Sequence, residues 1–173
     1  SMKTLEEWLI SAGQIHSKTI DLGLARIKAV AKKMGLLDWR CPVITVAGTN
    51  GKGSTITLLE TIYHQAGYKT GCLTSPDLLR YNERIRINQQ EANNETICQA
   101  FATVERLREN ITLTFFEFNV LVALVIFKEQ LLDVILLEVG LGGRLDACNI
   151  IDPDLAIITS IDFRIDDTSF FAI

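Results

Sequence analysis

Apolar and polar positions along the chain follow two periods, close to 3.6 and close to 2, in alternating blocks. The spacing from Leu5 to Ile10 suggests a short helix. A longer helix is expected after it, with Asp21 placed to cap it. Leu24, Ile27, Val30, Ala31 and Met34 recur at helical intervals there, and Gly35 is its stop. Pro42 then precedes an unbroken apolar run, Val43 to Ala47, that reads as a strand. Behind it Leu58, Leu59, Ile62, Tyr63 and Ala66 return to helical spacing until Gly67. Lys69 to Leu73 reads as a second strand. Glu83 to Asn88 alternates, Ile85 and Ile87 against Arg84 and Arg86, as a half-exposed strand does. Helices are predicted over 94–109 and 116–130. Val134 to Leu137 is a buried strand ending in Glu138, and Leu155 to Thr159 is another.

Strands alternating with helices predict an α/β fold with a mostly parallel sheet covered on both faces. The 173 residues, 48% of them hydrophobic, suffice for one domain with a real core. A helical lead-in is expected over 1–40, an α/β core over 41–160 and an atypical end over 161–173. The longest apolar stretch, Phe118 to Phe127, is about half the roughly twenty residues of a membrane span. It reads as a buried helix, and no membrane partner is expected. Ser1 before Met2 reads as a remnant of tag removal, and the apolar ending at Ile173 suggests a fragment or a shortened gene product.

Charge narrows the partners. The net charge is −4, with Lys and Arg scattered rather than massed. A nucleic-acid backbone needs a basic face, so it is not expected as a partner, whereas a nucleotide needs only one lysine and a few amides. The four cysteines, Cys41, Cys72, Cys98 and Cys148, form no C-x-x-C pair. They read as small buried hydrophobes in a reducing cytosol rather than as a zinc site.

The chemistry gathers at loops. Gly48-Thr49-Asn50-Gly51-Lys52-Gly53-Ser54 lies between a strand and a helix, the context of a phosphate loop. It departs from G-x-x-x-x-G-K-[ST], because Val46 holds the first-glycine position and Gly53 the hydroxyl position. The physics is unchanged: glycines let amides turn toward phosphate oxygens, and Lys52 adds charge next to a helix N-terminus. Ser54 or Thr55 could place a hydroxyl near Mg²⁺. Glu138, a carboxylate ending an apolar strand, is the acidic candidate for that ion. A second glycine-rich loop follows it, with Arg144 and Asp146 as opposite charges. Thr114-Phe115-Phe116-Glu117-Phe118 concentrates aromatics before a helix, either as core or as a ring for stacking on a flat ligand. His16 and His64 stand alone and read as satisfied or surface residues.

The glycine loop, Thr74-Ser75-Pro76, Asn82-Glu83-Arg84-Ile85 and the loop from Glu138 to Asn149 occur in this order in folylpolyglutamate and dihydrofolate synthases. The chain resembles that family, part of the wider Mur-ligase-like group of ATP-dependent amide ligases, from about Leu5 to Ser160. Asp21-Leu22-Gly23-Leu24 is similar to the bacterial bifunctional branch. The resemblance implies a P-loop NTPase-like central domain that uses ATP and Mg²⁺ to join L-glutamate to dihydropteroate or folate through an acyl phosphate. It implies that Gly48 to Thr55 hold ATP and that Lys52 and Glu138 are catalytic. It further implies that Ser75 and Glu138 ligate magnesium, and that Leu22, Gly23, Leu24, Ala25, Thr114, Phe116, Leu145 and Asp146 meet the pterin. A cytoplasmic monomer is expected.

Departures matter as well. Asp77 stands where the family has histidine after Ser-Pro, and no Asp-His-Thr follows the last strand. Asp166 or Asp167 could replace that histidine as an oxygen ligand. The rest of the ATPase domain and the C-terminal ligase domain are not among these residues, so little or no ligase activity is expected of this chain alone. Two other classes stay open here: a non-catalytic nucleotide- or pterin-binding remnant, and a Mur-type ligase acting on a nucleotide-linked cell-wall precursor.

Overall fold

Alternate burial along the strands decides the layers. The computed structural model describes residues 2–16, 23–75, 79–140 and 146–160. Strand β1 (Val43–Ala47) sends Val43 to one side of the sheet and Ile44 and Val46 to the other. Strand β5 (Val134–Glu138) does the same, with Ile135 and Leu137 against Val134 and Leu136. Both faces are therefore covered, as the unbroken apolar runs predict. Strands β2 (Thr70–Leu73), β3 (Ile85–Ile87), β4 (Gln90–Glu91) and β6 (Leu155–Ile158) complete a sheet of order β4-β3-β2-β5-β1-β6. The run β2-β5-β1-β6 is parallel, and β3 is antiparallel to β2 and to β4.

One face carries α1 (Leu5–Gln14), α2 (Ala25–Lys33), α4 (Asn94–Arg108) and α5 (Phe115–Lys128) around a core of Trp8, Ile27, Phe101 and Phe118. The opposite face carries α3 (Lys52–Gln65), whose Ile56 packs with Ile44, Val46, Cys72 and Leu136. Helix α5 is apolar all round and buried from Glu117 to Phe127, as expected of its sequence. Among the described residues no helix is long and apolar enough to cross a membrane.

The structure corrects three local expectations. Helix α1 runs past Ile10 to Gln14, started by a capping box in which Thr4 and Glu7 bond each other's backbone amides. Helix α2 starts at Ala25 with Leu24 as its N-cap and no side-chain cap, so Asp21, itself outside the described residues, is not the capping residue. In α3 the apolar stripe is split. Leu59 and Tyr63 pack against the core, whereas Leu58 and Ile62 are 61% and 50% exposed.

A charge takes the inward position on that helix. Glu60 is only 4% exposed and receives Arg86 Nε of β3 at 3.0 and 3.1 Å on its two oxygens. Arg86 also reaches Cys72 Sγ at 3.3 Å and the Glu83 carbonyl at 3.1 Å. The pair fastens α3 to the antiparallel end of the sheet. Glu60→Ala leaves Arg86 without its carboxylate and should lower stability by about 3 kcal/mol in urea unfolding. Replacing both partners with apolar residues should recover most of that loss; a double variant no more stable than Glu60→Ala would show that the pair is not what matters.

The cysteines divide. Cys72 and Cys148 are buried, and Cys41 and Cys98 are partly exposed. Burial pushes the Cys72 thiol up to about 12, against the pull of Arg86, and holds Cys148 well above its usual range. At mildly alkaline pH a thiol reagent should modify Cys41 and Cys98 in the folded chain and reach the other two only on unfolding. Mass spectrometry of the labelled peptides checks this.

Candidate functional site

The phosphate loop takes the strand-to-helix path its sequence suggests. It leaves β1 through Gly48, at φ +136°, and enters α3 through Gly51, at φ +81°, a left-handed conformation that favours glycine. Gly51 is the N-cap, so the amides of Lys52, Gly53 and Ser54 belong to the first turn, where no intrahelical acceptor exists. With the positive end of the helix dipole they form an anion-binding end. Thr55 follows in the same turn, its amide bonded to the Gly51 carbonyl at 3.0 Å. Lys52 is half-buried, and its Nζ donates to the Val139 carbonyl at 3.3 Å. The lysine thus bridges from the first glycine loop to the start of the second.

Parallel register brings the acidic group alongside. Val46 of β1 pairs with Glu138 of β5, and Leu73 of β2 pairs with Leu137. The loop, Glu138 and Ser75 therefore stand next to one another at the carboxyl edge of the sheet. Glu138 is half-buried, and one of its oxygens accepts the Ser75 amide. A methyl group built on Gly140 would lie 3.5 Å from the Ser75 hydroxyl and 3.2 Å from the Asp146 carboxylate. Asp146 accepts Gly140 N–H at 3.0 Å and Cys148 N–H at 2.9 Å, joining both ends of the second loop. Burial pushes its carboxyl above the usual range. The Cys148 and Gly140 amides, and then Lys52, pull it back.

These donors fit magnesium. They are oxygen atoms, the ligand type that hard ion takes, and the neighbouring anion-binding helix end is where phosphate oxygens would complete the shell. Among the described residues no three His, Cys, Asp or Glu side chains gather as a closed cage.

The residues expected at the pterin occupy an adjoining surface. Phe115 and Phe118 join the core, but Phe116 is 42% exposed, its ring edge-on to Phe115 at 6.2 Å. The aromatic cluster thus divides between packing and one ring facing solvent. Thr114 is buried and caps α5, its hydroxyl accepting Glu117 N–H at 3.1 Å. Gly23 is exposed, Leu24 is half-buried and Ala25 opens α2. Arg26, unremarked in the sequence, joins the two segments through its Nη1, which donates to the Thr112 carbonyl and to Glu117, each at 2.8 Å. The short turn at Ala147–Ile150 packs on α2 and α5, so Asp146 lies between the sheet edge carrying Glu138 and this surface.

Leu22, Pro76, Asp77, Arg144, Leu145, Asp166 and Asp167 lie outside the described residues. His16 and His64 stand apart, bonded to Thr112 Oγ1 at 2.8 Å and to Asn88 Oδ1 at 3.0 Å, which agrees with their reading as satisfied side chains. Sequence reasoning missed Thr159 and Ser160, which bond to the phosphate loop from the end of β6. No local signal marks them, because their partners lie more than a hundred residues away.

No model of a known protein family matches the chain. Individual proteins do. The dihydrofolate synthase/folylpolyglutamate synthase of Escherichia coli K12 is 52% identical over 157 residues, covering 91% of this chain and 37% of that protein. The solved structure of Escherichia coli FolC in complex with DHPP and ADP matches with a TM-score of 0.92 at 50% identity, over 96% of this chain and 40% of that one. A bifunctional folylpolyglutamate synthase/dihydrofolate synthase with Mn, AMPPNP and L-glutamate bound matches at 0.90 and 47% identity, over 97% of this chain and 41% of that one. The chain thus spans about two fifths of the length of the relatives it matches. Over what it spans, it belongs to the dihydrofolate synthase/folylpolyglutamate synthase family and corresponds to the N-terminal portion of its members.

Proposed function

We propose that the chain forms the nucleotide-binding and pterin-binding front of an ATP-dependent ligase that adds L-glutamate to dihydropteroate, to folates, or to both. The observation that carries this reading is the juxtaposition of Lys52, Glu138 and Ser75 at one sheet edge, linked by Lys52 Nζ to the Val139 carbonyl and by Ser75 N–H to Glu138. The relatives, described with ADP, with AMPPNP and Mn, with L-glutamate and with DHPP, support it.

In the proposed reaction a carboxylate of the pterin-bearing substrate attacks the γ-phosphorus of ATP, and ADP leaves. The amine of glutamate then attacks the acyl phosphate carbon, inorganic phosphate departs and an amide forms. The amides of Lys52, Gly53 and Ser54 bind phosphate oxygens, and Lys52 leaves the Val139 carbonyl to meet charge developing on the transferred group. Ser54 and Thr55 lie within the same turn to add hydroxyls. Ser75 and Glu138 would hold Mg²⁺, which supplies charge neutralisation between the phosphates. The exposed Phe116 ring stacks on the pterin, and Asp146 offers its remaining lone pairs to ring N–H donors. By the family resemblance, Leu22, Gly23, Leu24 and Ala25 of the lead-in over 1–40 and Leu145 would also meet the pterin, and the C-terminal ligase domain of the relatives would supply the rest of the reaction centre. The chain acts in the cytosol as a monomer, without nucleic acid, a reading supported by its scattered basic residues and free cysteines.

Two measurements test this. Calorimetry with AMPPNP and Mg²⁺ should show binding, and Lys52→Ala should weaken it about a hundredfold, the worth of one charge-assisted contact; unchanged affinity would remove Lys52 from the phosphate site. Glutamate-dependent ADP release, assayed with dihydropteroate, should stay at background for this chain alone. Turnover above background would show that these 173 residues already hold a complete reaction centre.

A further inference from the structure

Two amides of the phosphate loop are already committed to protein. Thr49 N–H and Asn50 N–H both donate to the Ser160 carbonyl, at 3.0 and 3.3 Å. The Thr159 hydroxyl donates to the Asn50 carbonyl at 2.5 Å, with the Ala47 carbonyl 3.2 Å away. That Ala47 oxygen also accepts Thr159 N–H at 2.8 Å, continuing the β1–β6 ladder past Ile158. Gly48, at φ +136°, lies directly against the same side chain, and a Cβ there would run into the Thr159 hydroxyl. A Cβ at Gly51 would come 3.9 Å from Thr159 Cβ. One threonine thus touches the entry and the exit of the glycine-rich turn.

We infer that Thr159 and the Ser160 carbonyl position the phosphate loop, holding residues 48–51 so that Lys52, Gly53 and Ser54 present their amides to phosphate while Thr49 and Asn50 do not. This rests on the loop being the nucleotide site. The physical reason is preorganisation. A glycine-rich loop samples many backbone states, and a ligand that must select one binds weakly. Bonds from the end of β6 remove that freedom before nucleotide arrives. They also divide the donors: the amides before Gly51 serve the protein, and those after it serve the ligand. Thr159 is a positioning residue, because it acts through the loop rather than on phosphate.

The test compares Thr159→Ala, which removes the hydroxyl, with Thr159→Ser, which keeps it. Both are titrated with AMPPNP and Mg²⁺ well below the melting transition, where circular dichroism shows them folded. The alanine variant should bind about tenfold more weakly and the serine variant within about twofold of the parent. A merely structural role would lower the melting temperature of Thr159→Ala and leave affinity in the folded chain unchanged, and that outcome overturns the inference. Amide hydrogen exchange of the unsubstituted chain gives a second reading free of any folding defect. Thr49 and Asn50 should exchange slowly with or without nucleotide, while Lys52, Gly53 and Ser54 gain protection only when it is added. Fast exchange at Thr49 and Asn50 in the free chain also overturns the inference. Absence of nucleotide binding by the parent, or unchanged binding by Lys52→Ala, would instead sink the reading of the loop itself, and the inference with it.

Discussion

Because β2, β5, β1 and β6 pair in parallel, their carboxyl ends all emerge at one edge of the sheet. The grouping of Lys52, Glu138 and Ser75 follows from that constraint. It sets the glycine loop after β1 beside Glu138 at the end of β5, and Ser75 beyond β2 on the far side of Glu138. Three segments far apart in the chain become neighbours without a dedicated contact having to draw them together. The cost of the arrangement is that each parallel connection must cross over, and the helices that do so cover the apolar faces. Core and site are therefore products of the same topology.

The surface proposed for the pterin is assembled differently. It depends on two helix starts, α2 and α5, held by a charged link rather than by the sheet. Glu117 closes the capping box on Thr114 and accepts Arg26 as well, so the carboxylate that starts α5 also sets its distance from α2. Phe116 lies between those bonded residues, with its neighbours Phe115 and Phe118 packed inward. The ring is exposed and meets Phe115 edge-on.

How much of this the sequence shows depends on the range of the interaction. Strands β1, β2, β5 and β6 and helices α4 and α5 were legible because burial repeats every two or about 3.6 residues, and so was the strand-loop-helix setting of Lys52. The inward turn of Glu60 was not legible, since its reason is Arg86 on a strand that pairs elsewhere. Leu58 and Ile62 consequently look like core residues in the sequence and are exposed in the fold. Arg26 and Thr159 escape for the same reason: nothing within a helical turn of either explains it. The start of α2 failed otherwise, because an aspartate near an apolar stripe resembles a cap even when the helix begins further on. Motif order along the chain pointed to the family.

The bonds between β6 and the phosphate loop also work in the opposite direction. Whatever free energy the strand end lends to nucleotide binding, bound nucleotide must return to the strand end by the same amount. Among the described strands β6 is the last beside β1, with Leu155 and Ile158 exposed. If nucleotide occupies the loop as proposed, it would fasten β6 in turn and so add to the stability of the sheet.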